Sequence, residues 1–227
     1  MTRSGSNEWH VVRSQSTAGE FHGLEIPDPP TPQIWVHEIT RPALVLGSTQ
    51  RRDQADLVAC ERAGYEVVRR RSGGGAVLLA PGEVVWIDLI LPAGGPGWSS
   101  DVHRPMVWLG TRLASAFDAA GDSDVTVHDA AMVSTAHSRL VCFDGIGPGE
   151  LIRSDGSKLV GISQRRTRAA ARLQCCWYSS YDPGVLSSLL VDGPRVDDLR
   201  DVATIEASRS ISVVDHLAAA ITEETMS

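Results

Sequence analysis

Lysine is almost missing from this chain. Of 21 basic residues one is a lysine, Lys158, and the rest are arginine. Where positive charge alone is wanted the chain carries arginine, so the surroundings of its single compact ammonium decide what that lysine is for. Basic residues are also in the minority, with 28 acidic side chains and a net charge of −7. That balance excludes a protein held mainly by nucleic-acid phosphates. Long apolar runs are missing too. The strongest, residues 84–91, is interrupted by Asp88 and falls far short of the roughly 20 residues that cross a bilayer. Residues 1–7 are polar and lead into no apolar segment, so neither a secretory signal nor a membrane partner is expected. The four cysteines, Cys60, Cys142, Cys175 and Cys176, contain no C-x-x-C pair, which removes the usual zinc spacing, and no metal site is expected. The neighbours Cys175 and Cys176 stand about 3.8 Å apart at Cα, too close for an ordinary disulfide. Free thiols in a reducing cytoplasm are the economical reading.

What is present is an ordinary globular composition, 227 residues of which 42% are hydrophobic. A chain of that length buries most of its apolar surface in one core, so a single domain over residues 1–227 is expected, with 1–32 partly irregular. Alternation predicts strands at 9–12, 34–39, 43–46, 65–70, 76–79, 84–91, 125–128, 140–143, 151–152, 159–164 and 173–178, the last two as antiparallel partners. The prolines of residues 27–32 make an extended connector. Helices are expected at 53–63 (capped by Asp53 and stopped by Gly64), 105–120, 183–190, 197–207 and 213–224. Strands fill the middle and helices the end without βα alternation, which is the pattern of an α+β fold with mixed or antiparallel sheets and flanking helices.

Three segments carry chemistry. Arg69-Arg70-Arg71-Ser72-Gly73-Gly74-Gly75-Ala76-Val77 has three successive glycines, whose backbone can approach a ligand closely and converge N–H groups on an anion, while the arginines offer bidentate donors. The bland alternative is a flexible hairpin turn with solvated arginines. The segment is neither G-x-G-x-x-G nor a P-loop. Lys158 stands in Gly156-Ser157-Lys158-Leu159-Val160-Gly161-Ile162-Ser163-Gln164-Arg165-Arg166-Thr167, just past a turn and at the start of a strand. There it can hold a phosphate or an acyl oxygen, or stand as a surface lysine. Cys142, in Val141-Cys142-Phe143-Asp144, becomes a nucleophile if a nearby cation lowers its pKa and is otherwise a small buried hydrophobe. Cys175 and Cys176 alternate faces, so at most one of them should enter a site. His128-Asp129 is read as a surface loop, and Arg165, Arg166, Arg168 and Arg172 as either a docking patch for an acidic partner or a solvated strand edge.

Taken in order, these segments resemble the family of lipoate–protein ligases, octanoyl/lipoyl transferases and biotin–protein ligases. Pro42-Ala43-Leu44-Val45-Leu46-Gly47-Ser48-Thr49-Gln50 is similar to its early strand ending in L-G-x-x-Q, residues 69–77 to its R-R-x-S-G-G-G-A-V loop, and residues 156–167 to its G-x-K-x-x-G-x-x-Q-R-x-T strand. The resemblance implies a catalytic core like that of class II aminoacyl-tRNA synthetases, with a tunnel for an acyl chain. It implies that Arg70, Ser72, Gly73, Gly74, Gly75, Ala76, Val77, Leu78, Gly161 and Ser163 bind an acyl-adenylate and that Lys158 is catalytic, polarising the carbonyl attacked by an acceptor lysine. A ligase of this kind activates lipoate or octanoate with ATP and Mg2+. The acceptor is the lipoyl carrier domain of a 2-oxoacid dehydrogenase or a glycine cleavage protein, and a small accessory subunit stands in where the ligases' separate C-terminal domain is lacking. One class of octanoyltransferase takes the chain from acyl carrier protein onto a cysteine instead, without ATP, and Cys142-Phe143-Asp144 is similar to its C-F-[DE] motif, which would make Cys142 catalytic. That class usually has arginine where Gly75 stands. Leu79 occupies the place of a family histidine, and Cys175-Cys176 that of a His-Gly pair; these departures fit a non-catalytic acyl-binding relative.

Overall fold

The structure is a computed structural model that describes residues 8–223; the sequence readings of residues 1–7 and of Glu224 lie outside them. Among the described residues, ten strands form two sheets. In the larger, the order is β1 (His10–Ser16), β2 (Gln33–Ile39), β6 (Val84–Pro92), β10 (Ala170–Tyr178), β9 (Lys158–Arg166), β8 (Leu151–Ile152), β7 (Thr126–Val127). All neighbours are antiparallel except β1 and β2. In the smaller, β3 (Ala43–Leu46) runs parallel to β4 (Glu66–Arg69) and antiparallel to β5 (Val77–Leu79). With five α-helices among the described residues, the fold is α+β with mixed sheets, as expected.

The period-2 pattern of the central strands divides the molecule. Ile87, Leu89 and Leu91 of β6 with Leu173, Cys175 and Trp177 of β10 face one way, onto α3 (Arg104–Ala119) and α5 (Ala207–Glu223) through Leu109, Leu113, Phe117, Val213 and Leu217. Each such fully buried side chain contributes roughly 1.5–3 kcal/mol. Trp177 fits there because its Nε1–H finds Ser210 Oγ at 3.1 Å. The alternate residues, among them Trp86, Asp88, Gln174 and Cys176, face the small sheet and α1 (Ala18–Gly23). The functional residues gather on this second face.

Several elements differ from the sequence expectation. α1 lies in the stretch expected to be partly irregular; Thr17 and Glu20 close a capping box over it, a T-x-x-E signal readable from the sequence. The helix expected at 53–63 is α2 (Leu57–Ala63), capped by Asp56, whose carboxylate accepts from Val58 N and Ala59 N. Asp53 pairs with Arg51 instead, in a preceding 3-10 turn. Gly64 ends α2 at φ 76°. Residues 140–143 make a single bridge, Ala76 to Val141, before a 3-10 turn at Cys142–Asp144. Asp144 fixes that turn by accepting from Thr135 and from Arg200 N. In place of the helix expected at 197–207, residues 199–206 run without helix after one 3-10 turn, Val196–Asp198. Their backbone serves the ends of β9 and β10: Lys158 N donates to Asp201 O, and Ile205 N to Tyr178 O.

Candidate active site

The glycine loop is shaped by close backbone approach. A Cβ on Gly47 would stand 1.8 Å from Gly74 O, and one on Gly75 would stand 2.7 Å from Val141 and Cys142 backbone atoms. Only glycine lets these strands meet so closely, and Ala76 N and Cys142 N complete the join with bonds of 2.7 and 3.0 Å to Leu140 O and Ala76 O. Arg70 is buried beneath the loop. Its Nη2 donates to Gly73 O at 2.8 Å and Gly75 O at 2.9 Å and lies 3.7 Å from Cys142 Sγ. Ser72 Oγ donates to Gln174 Oε1 at 3.0 Å and meets Ser163 Oγ at 3.0 Å. Charge and hydrogen bonding thus fasten the loop to the sheet.

Lys158 is 1% exposed. Its Nζ donates to Cys142 O at 3.0 Å and Gly145 O at 2.9 Å, pairs with Glu150 Oε2 at 2.6 Å, and lies 4.9 Å from the centre of the Phe143 ring. Burial of an ammonium costs several kcal/mol unless it is paired and hydrogen-bonded; here all three N–H donors have acceptors. Glu150 also accepts from Gly147 N at 2.6 Å and Ile162 N at 2.9 Å, so the lysine and its counter-ion are set by the backbone.

Two cavities meet at this cluster. A narrow apolar slot is lined by Val45, Val77, Leu79, Trp86 and Phe143 and by His22, Arg70, Gly161 and Gln174. A wider cleft of about 410 Å³ holds Gly73, Gly74, Gly75, Lys158, Glu150 and Arg166. Cys142, Ile162 and Ser163 line both. Gly161 makes room at the junction, since a Cβ there would meet the Phe143 ring at 3.0 Å.

Of the residues picked out from the sequence, Lys158, Cys142, Gly73, Gly74, Gly75 and Ser163 line the cleft, and Arg70, Val77, Gly161, Ser163 and Cys142 the slot. Ser72 supports them from behind. Ala76 and Leu78 are not brought to either cavity. Strand alternation turns both into the cluster with Leu44, Leu46 and Cys60, and the Leu78 carbonyl is taken by Tyr178 Oη at 2.9 Å. Leu79, one position on, forms the slot wall instead. Arg172 drops out of the arginine patch: it is 2% exposed and pairs with Asp88 at 2.8 Å through Nε, with Phe21 O and Leu24 O taking its other donors. All four cysteines are free. Cys175 and Cys176 both line the slot although they pack into different clusters, against the expectation that at most one enters a site. Burial pushes the Cys176 thiol up to about 12 and raises Cys175 as well, which leaves neither a thiolate near neutral pH. His128 bonds Ala131 O, within a loop. Sequence reasoning missed Glu150, His22 and Gln174, which are remote from the motifs in sequence and join the site through strand register and α1.

The family model of the lipoyl protein ligase A/B catalytic domain matches residues 22–227. The chain belongs to this family. Solved structures place its fold in the same group. Lipoate-protein ligase A bound with ATP superposes with a TM-score of 0.68 at 14% identity, covering 96% of this chain and 85% of that one. A T. acidophilum protein with bound lipoic acid gives 0.66 at 15% identity, over 96% and 86% of the two chains. P. falciparum LipL1 in complex with lipoate gives 0.63 at 10% identity, over 95% and 61%. No curated protein matches the sequence. For this lipoyl protein ligase A/B catalytic domain, the resemblance carried by the glycine loop and the lysine strand therefore holds across the chain. Among the described residues no helix is long and apolar enough to cross a membrane.

Proposed function

We propose that this protein is a cytoplasmic enzyme of one catalytic domain that joins a lipoyl- or octanoyl-type acyl group, through an acyl-adenylate, to a lysine of a lipoyl carrier domain. The observation that carries this reading is the junction: an apolar slot suited to a chain of methylenes opens at Cys142 and Ser163 into a cleft holding Lys158 and the glycine loop. A chain in the slot puts its carboxyl carbon among these groups. The Lys158 ammonium then stabilises the oxygen charge that develops when the acceptor amine attacks, while the cleft has the volume of a nucleotide-sized site. Glu150 is the only carboxylate lining the cleft among the described residues, and it is engaged by Lys158 and two backbone amides. Mg2+ would therefore be carried by the phosphates of ATP. Gly75 supports the adenylate route as well: the arginine usual in cysteine-dependent transferases has no room against Val141 and Cys142.

A second reading is favoured by the place of Cys142. Cys142 is partly exposed at the junction, and its Sγ lies 3.7 Å from Arg70 Nη2. In that route the thiolate attacks the thioester of acyl carrier protein, the carrier thiol leaves, and the acceptor amine releases Cys142 as the amide forms. Intact-protein mass spectrometry separates the routes, after incubation with octanoyl–acyl carrier protein or with octanoate, lipoate and Mg·ATP. Acyl-AMP released on denaturation supports the ligase. A covalent octanoyl adduct at Cys142 replaces it with the transferase. Neither signal overturns both and leaves a non-catalytic acyl binder.

A further inference from the structure

The slot is apolar along Val45, Val77, Leu79 and Phe143, yet it is not apolar at its inner end. His22 and Trp86 line the slot and not the cleft. Trp86 belongs to β6, two strands from the β9 residues at the mouth, or roughly 10 Å across the sheet. The His22 ring packs on the Trp86 indole with centroids 4.5 Å apart and is nine-tenths buried. Its Nδ1 takes a hydrogen bond from Gln174 Nε2 at 3.4 Å, and Ser72 fixes the orientation of that amide by donating to Gln174 Oε1. A neutral imidazole that accepts at one nitrogen carries its proton on the other. The ring is neutral because burial, against the pull of Asp88, holds its pKa down at about 3. Its Nε2–H has no acceptor among the described residues.

We infer that the slot selects an acyl chain bearing a neutral hydrogen-bond acceptor near its far end, a keto or comparable oxygen, received by His22 Nε2–H. The inference rests on the slot being the acyl pocket. Methylenes fill the apolar walls, and the terminal acceptor satisfies a donor that a plain alkyl end would leave buried without a partner. Gln174 and Ser72 act behind His22, fixing its tautomer.

The test is calorimetric binding of octanoate and 7-oxooctanoate to the full chain and to its His22→Phe variant, which keeps the ring stacked on Trp86 and drops the donor. We expect 7-oxooctanoate to bind the wild type about tenfold more tightly than octanoate, and the preference to vanish in His22→Phe. His22→Leu provides the same readout should the phenylalanine variant not fold. Equal affinities in the wild type, or a preference that survives loss of the imidazole, would overturn the inference. Failure of the folded wild type to bind either acid would instead overturn the reading of the slot as an acyl pocket.

Discussion

Two buried charge clusters stand on the same face of the large sheet, and they are built for different ends. Asp88 sits among His37 (Nε2 at 3.0 Å), Trp86 Nε1 (2.8 Å) and Arg172, all inside the protein and lining neither cavity apart from Trp86. Burial would raise its pKa, but the His37 hydrogen bond and the Arg172 charge outweigh that and hold it at about 2. Lys158 is as deeply buried, but two of its three acceptors are neutral carbonyls and it borders a cleft. A ligand oxygen can replace a carbonyl at little electrostatic cost, whereas nothing can replace Asp88. The first cluster ties α1 to the sheet through Phe21 O and Leu24 O. The second keeps a cation ready.

This contrast can be broken from either side. The largest effect is expected from Asp88→Ala, which leaves Arg172 buried without its counter-ion and should cost about 3–5 kcal/mol in denaturant unfolding. Lys158→Ala should lower acyl transfer by about 10²–10³-fold with a much smaller loss of stability, because Glu150 keeps two backbone donors and borders the cleft. Lys158→Arg should also be poor, as a planar guanidinium does not reproduce a compact ammonium. Retained transfer in Lys158→Ala would remove the lysine from the mechanism. The smallest effect is on acid stability. Asp88 is depressed from 3.8 to about 2 in the folded state, so its contribution is present above pH ~4 and lost as pH falls towards 2, about 2 kcal/mol in all. Melting curves of Asp88→Asn should lack that portion of the acid slope.

The contrast also marks how much of the molecule was legible in the sequence. Alternation and caps located β2, β3, β6, β9 and α3 within a residue or two and β10 within three, because each has one face in a core. The short motifs located Lys158, Cys142 and the glycine loop, because chemistry there depends on residue type at fixed local spacing. Segments 140–143 and 197–207 were misread because tertiary bonds, to Asp144 and to the ends of β9 and β10, override local preference. Arg172 looked like one of a run of surface cations. Its burial depends on Asp88, 84 residues away, and no local pattern announces such a partner. Leu78 and Leu79 show the same limit at finer scale, since both directly follow the motif and only strand register says which faces the slot.

The shared wall of the two cavities bears on how this protein can be inhibited. Among the described residues, Cys142, Ile162 and Ser163 are the side chains common to slot and cleft, so a bulky adduct on the Cys142 sulfur is a stopper in the passage between them. Alkylating reagents should silence the protein whether that sulfur forms a bond with the substrate or merely stands beside it, and loss of activity on labelling is no proof of covalent catalysis. Shaving the residue to alanine, which widens the passage instead of plugging it, discriminates where the reagent cannot.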